Sequence, residues 1–240
     1  MSNNFIKTNQ NSFRSSSNAT YDAGLREYMM KVYNKMGIAL AISGVISFLV
    51  LNSPSLMNMI YNTPLKWVAM LAPLGFVFYF SAKINKISAK KAQTYLWVFA
   101  SLMGISLAPI LYMYTEASIA KTFFIAASLF GSMSLYGYTT KRDLTGMGSF
   151  LMMGLFGIIL ASIVNMFLNS SGLDFAISII GVLIFTGLTA YDTQRIKSMY
   201  YQMAGNAESI AKASTMGALS LYMDFINLFI MLLRFFGDRR

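Results

Sequence analysis

The chain has 240 residues, 56% hydrophobic and 12% charged, with a net charge of +10 and neither His nor Cys. With a mean hydropathy of +0.54, this composition excludes an ordinary soluble domain. The missing Cys and His exclude disulfides, thiolate chemistry, the common zinc motifs and the usual physiological pH switch.

Residues 1–24 are polar and rich in Ser and Asn, so they are expected to form a disordered tail. They lack the apolar core of a secretory signal peptide, and Tyr21 to Lys35 reads as a helical lead-in. Residues 25–237 are expected to form a single integral membrane domain. A helical crossing needs about 17–25 apolar residues, and six runs meet this: 36–52, 67–82, 94–115, 118–140, 147–168 and 175–194. A seventh, 213–236, is interrupted by Asp224, Asn227 and Arg234. The expected fold class is an all-α polytopic membrane protein of seven transmembrane helices, the last of them polar-striped. Glycines inside the spans, among them Gly37, Gly44, Gly131, Gly137, Gly154, Gly157, Gly181 and Gly187, read as close helix packing in lipid. Pro73 and Pro109 mark kinks, the 19 Met residues read as packing rather than soft-metal ligands, and Trp67 and Trp97 fall near span ends.

Basic residues sort to one side. Lys7, Arg14, Arg26, Lys31, Lys35, Lys83, Lys86, Lys90, Lys91, Lys141, Arg142, Arg195, Lys197 and Lys212 fall on one set of segments, and only Lys66 and Lys121 on the other. This places the N-terminus in the cytoplasm and reads the positive charge as topology-setting, with no nucleic acid as partner. Seven full crossings then put the tail Gly237-Asp-Arg-Arg240 outside, against the tendency of its own arginines, so a re-entrant last segment stays open.

Asp192 and Asp224 carry the chemistry. A carboxylate inside an apolar span costs roughly 2.5–3.5 kcal/mol unless it faces protein, water or an ion, which marks it as a functional candidate. In the sixth span Thr186, Thr189 and Asp192 share one helical face, continued by Arg195. In the seventh, Gly217, Ser220, Asp224, Asn227, Met231 and Arg234 form a stripe in steps of three and four. Asp192 is expected in the cytoplasmic third and Asp224 about 10–16 Å into its helix. The two meet only if the sixth helix runs on through Met199–Met203. Two carboxylates meeting there disfavour double ionisation and titrate as one unit, a pH sensor without histidine. The same pair suits a weak, transient metal site for calcium, which wants 6–8 oxygens and would draw on Ser220, Asn227, carbonyls or water for the rest. The plainer alternatives are an Asp192–Arg195 boundary ion pair and an Asp224 helix–helix hydrogen bond. Glu116, Asp143, Asp174 and Glu208 read as solvated.

The segment Phe185-Thr-Gly-Leu-Thr-Ala-Tyr-Asp-Thr-Gln-Arg-Ile196 resembles the signature of the Bax inhibitor-1 family. The resemblance extends to Ser134-Leu-Tyr-Gly-Tyr-Thr-Thr-Lys-Arg-Asp-Leu144, Val164-Asn-Met-Phe167 and Leu221-Tyr-Met-Asp-Phe-Ile-Asn-Leu228, covering roughly residues 25–237. It implies a seven-helix fold with a central last helix and a pH-sensitive calcium leak controlled by an aspartate pair, here Asp192 and Asp224. It also implies a basic latch from the second helix, for which Lys83 is the nearest candidate. The short loops look like those of a bacterial member, which places the chain in the cell (inner) membrane. Eukaryotic relatives are linked to suppression of cell death, and bacterial ones to modulation of a membrane-bound protease.

The leading expectation is therefore a proton-gated calcium leak that is not an enzyme and needs no cofactor. The alternative is a non-conducting modulator of a membrane-bound protease or stress-response protein. A remote alternative is an intramembrane aspartyl protease, which also pairs two aspartates. Ala190-Tyr-Asp192 resembles half of that signature, but the Gly-x-Gly-Asp half and the Pro-Ala-Leu element are missing.

Overall fold

The computed structural model describes residues 3–203 and 206–240, with side chains described only from residue 23 onward, so most of the tail expected over 1–24 lies outside the residues described in full. The helices are α1 (Asn3–Leu51), α2 (Pro54–Tyr61), α3 (Leu65–Lys83), α4 (Ala89–Tyr112), α5 (Glu116–Thr139), α6 (Thr145–Leu168), α7 (Ser171–Gln202) and α8 (Ala207–Phe236). Among the described residues, seven of them, α1 and α3 to α8, are long and apolar enough to cross a membrane. The protein is an all-α polytopic membrane protein.

Local chemistry sets the boundaries. An N-cap oxygen satisfies backbone donors that the first turn leaves orphaned. Ser53 caps α2, ahead of Pro54 at its first position. Ser88, Thr115, Ser170 and Asn206 do the same for α4, α5, α7 and α8. Helix α6 ends at Asn169, whose φ of 48° is the left-handed stop that Asn tolerates.

Two helices run further than hydropathy predicts. Helix α7 continues through Arg195 and Lys197 to Gln202, and α8 begins at Ala207 rather than near 213. At about 1.5 Å per residue, α8 is about 45 Å long with Asp224 near its middle, about 26 Å from its start rather than 10–16 Å. It is one continuous helix.

Helix α8 is the axis of the bundle. It packs against α7, α1, α5 and α4, and 67% of its most apolar window is buried, against 6% for α6. Helices α3 and α6 are peripheral, with one broad face each left to lipid. Because consecutive spans alternate in direction, segments 84–88 and 140–144 share one end, the basic one, with the end of α7 and the start of α8. Segments 113–115, 169–170 and 237–240 share the other. There the tail docks: the Thr115 amide donates to the Asp238 carbonyl at 3.0 Å and the Arg240 amide to the Met113 carbonyl at 3.0 Å.

Candidate functional site

Two close contacts give the register of antiparallel α7 and α8: Gly181 faces Met231, and Ile196 faces Gly217. Thr189 is therefore level with Asp224 and Thr186 with Asn227. Asp192 lies three residues, about 4.5 Å, nearer the basic end. The extension of α7 past residue 194 makes this meeting possible, because it carries Asp192 and Arg195 inside packed helix rather than into a loop.

Asp224 is buried, 6% exposed, and its Oδ2 has no hydrogen-bond partner. The charges that reach it are those of Asp192 and Arg195. Arg195 links the two helices: Nη1 lies 3.6 Å from Asp192 Oδ1, and Nη2 donates to Ser220 Oγ on α8 at 3.4 Å. Asp192, with a side chain 13% exposed, is thus both a partner of Arg195 and an electrostatic neighbour of Asp224. The site is two carboxylates largely closed to water and one arginine whose side chain is 43% exposed, so charge interactions are strongest at the Asp224 end.

The remaining sequence-stripe residues separate. Thr189 is buried and donates to the Phe185 carbonyl at 2.8 Å. Thr186 Oγ1 is buried without a partner. Asn227 and Met223 line a cavity of about 730 Å³ that opens at the tail end of the bundle between α4, α6, α7 and α8. Arg234 stands at its mouth, 3.6 Å from Asp174 Oδ1, while Arg239 lies 3.7 Å from Asp174 Oδ2. Asp174 is therefore ion-paired rather than simply solvated. Glu208 also has a structural task, accepting from the Ala89 amide at 2.7 Å at the start of α4. Lys83 is exposed over the Tyr79 ring, 6.0 Å from its centroid, and is not among the charges reaching Asp224.

Sequence reasoning passed over two polar features. Lys35 of α1, read only as topology-setting charge, donates to Ser214 Oγ and Thr215 Oγ1 at 2.8 Å each on α8. A hydroxyl chain joins Tyr33, Ser134 and Thr193, at 2.5 Å and 3.0 Å. Thr193 lies four residues from Thr189, so helical phase could have added it to the polar face. Nothing in the sequence pairs Lys35 with α8.

A family model described as "Inhibitor of apoptosis-promoting Bax1" matches residues 25–240. The chain belongs to the Bax inhibitor-1 family. A family relative from Rickettsia prowazekii is 52% identical over 225 residues, covering 94% of this chain and 95% of its own. The Escherichia coli K12 relative named inner membrane protein YbhL is 46% identical over 220 residues, covering 91% and 94%. A Borreliella burgdorferi relative is 46% identical, covering 89% and 93%. Within this Bax inhibitor-1 chain, no three His, Cys, Asp or Glu side chains gather as a metal cage among the described residues.

Proposed function

We propose that this Bax inhibitor-1 family protein is a pH-sensitive cation leak of an inner membrane, with calcium as the ion and Asp192 and Asp224 as the controlling pair. The single observation that carries the reading is Asp224: a buried carboxylate with an unpartnered oxygen, midway along the central helix, within reach of a second carboxylate and one arginine. Such a group is costly in a bilayer unless it binds a proton, a cation or a partner. The two carboxylates share the field of one guanidinium, so gaining or losing a proton alters how firmly Arg195 clamps α7 to Ser220 of α8. Access is favourable too. The large cavity stops at Met223 and Asn227, next to Asp224 and on the side away from the basic end. Lys83 has no part in this proposal; Arg195 takes the role of the closing cation.

The test is calcium flux into liposomes holding the purified protein, measured from acid to neutral pH. Wild type should show a pH-dependent rate, and Asp224→Asn should flatten that dependence. A pH profile left intact in Asp224→Asn would sink the mechanism.

A further inference from the structure

The 730 Å³ cavity falls within the range of about 300–1,000 Å³ typical of ligand sites. Its inner wall is apolar, with Ile110 from α4, Leu155 and Ile158 from α6, and Met231 from α8. Its rim residues Leu74, Ile163 and Met166 are 55%, 48% and 71% exposed. In a membrane that exposure is to acyl chains, so the cavity opens sideways onto lipid. Helix α6 packs chiefly on α7, and this leaves the gap towards α4.

The mouth has the opposite character. Arg234 lies in the last turn of α8 and Arg239 in the docked tail, at the end of the bundle where the phosphates of a surrounding bilayer would fall. Of the charged residues lining the cavity, two are arginines and one is an aspartate, a net positive balance. Each guanidinium offers five donors, and one long contact to Asp174 leaves most of them unspent. A free anion would answer the arginines and leave the apolar walls bare, whereas an apolar guest would do the reverse. A phospholipid answers both and is already adjacent. A zwitterionic head group would also need a carboxylate for its cation, and each Asp174 oxygen already faces an arginine.

We propose that the cavity holds one acyl chain of an anionic phospholipid drawn from the leaflet on the tail side, its phosphate bridging Arg234 and Arg239. Because the cavity ends at Met223 and Asn227, a seated chain also stoppers the approach to Asp224; this consequence rests on the proposed leak, whereas the binding does not.

The experiment titrates delipidated, detergent-purified full chain with phosphatidylglycerol, phosphatidylcholine and phosphatidylethanolamine of equal acyl length, and separately with inorganic phosphate, reading bound species by native mass spectrometry. Phosphatidylglycerol should be retained one per chain, ahead of the other two lipids. Arg239→Gln, at a side chain 59% exposed and thus safe for folding, should lower retention roughly fivefold. Ser162→Phe, which keeps both arginines and fills the cavity, should also lower it, and Asp174→Asn should raise it. Equal retention of all three lipids overturns the proposal, as does retention indifferent to Arg239→Gln. Phosphate displacing the lipid while Ser162→Phe has no effect overturns it in favour of a free-anion site. Calcium flux in vesicles with and without phosphatidylglycerol separates the two readings. Lipid binding without flux in either vesicle sinks the leak alone, and flux without selective lipid binding sinks the lipid site alone.

Discussion

An ammonium among packed helices needs oxygens on every side, and Lys35 has them. Its Nζ donates to Ser214 Oγ, Thr215 Oγ1 and the Ala211 carbonyl at 2.8, 2.8 and 3.4 Å, which uses all three of its donors. Among the described residues no carboxylate takes part, so the attachment of α1 to α8 is a charge held by neutral dipoles. Removing the dipoles is therefore worse than removing the charge. Ser214→Ala/Thr215→Val should destabilise the protein by about 1–3 kcal/mol, because it strands a half-buried charge. Lys35→Met in that background should restore much of the loss, read as thermal unfolding in detergent. Asp143 gives the contrasting case of an exposed group. It accepts from the Thr145 amide and hydroxyl at 2.9 and 2.6 Å, and these bonds hold its carboxyl below the usual carboxylate range. A depressed carboxylate contributes stability that is present above its unfolded value, about 3.9, and lost as pH falls through its folded value. The protection factor of the Thr145 amide, its exchange rate relative to the intrinsic rate at each pH, should hold down to about pH 4 and fall only below it, whereas Asp143→Ala should show little protection at any pH. Both arrangements were hidden in the sequence for one reason. A lysine at a span edge and an aspartate in a loop look solvated until the partner helix or turn is in place, whereas Asp224 announced itself because nothing near it in sequence could solvate it.

At the scale of the helix, the glycines divide into two kinds that sequence alone treats as one. A methyl on Gly137 would run into the backbone of Ala190, where α5 crosses α7, while Gly181 and Gly187 sit against Met231 and Leu151. Gly37, Gly44, Gly131 and Gly157 have nothing within 4 Å. Close backbone approach demands glycine at Gly137, whereas at Gly181 and Gly187 the neighbours are side chains. Gly137→Ala should push α5 off α7 at a cost of about 1–3 kcal/mol. Gly131→Ala, facing lipid on the same helix, should be neutral or stabilise by up to about 1 kcal/mol through helix propensity. Equal thermal midpoints for the two variants would contradict the assigned packing. The seven spans themselves were legible because apolar length is a property of each segment alone. Their ends were less so. Hydropathy stops α7 where Arg195 and Lys197 begin, yet the helix runs on, since Arg195 reaches Asp192 and Ser220, and Lys197 donates to the Tyr138 carbonyl at 2.8 Å. Charges supplied with partners no longer end a membrane helix, and that extension brings the aspartates together. Helix α2 escaped notice because eight residues are too few to register as a crossing, although Ser53 and Pro54 are a ready start signal.

For the molecule as a whole, the unresolved sequence question was the basic tail, which positive-inside reasoning would draw towards the cytoplasm. The structure sets acids beside those arginines. Asp174 faces Arg234 and Arg239, Glu116 lies 3.4 Å from Arg240, and Asp238 accepts from Ser118 Oγ at 3.1 Å. These acids offset part of the tail's charge, and the fourteen basic residues assigned to the other side outnumber its three arginines. The bundle should then insert with its N-terminus and the 84–88 and 140–144 turns in the cytoplasm, and with its docked tail outside. The absence of cysteine makes this directly measurable. Asn62→Cys, exposed between α2 and α3, and Asn85→Cys, exposed beyond α3, flank a single crossing and must therefore report opposite sides. A membrane-impermeant maleimide applied to intact cells should label Asn62→Cys and spare Asn85→Cys until the cells are lysed. The reverse pattern would place the cavity mouth and its arginines in the cytoplasm and invert the direction of the proposed leak. Adding Asp174→Asn to the Asn62→Cys chain tests the pairing itself. With one fewer acid beside the tail arginines, a fraction of the chains should lose labelling at Asn62→Cys as the charge bias weakens, and unaltered labelling would show that the fourteen basic residues alone decide the orientation.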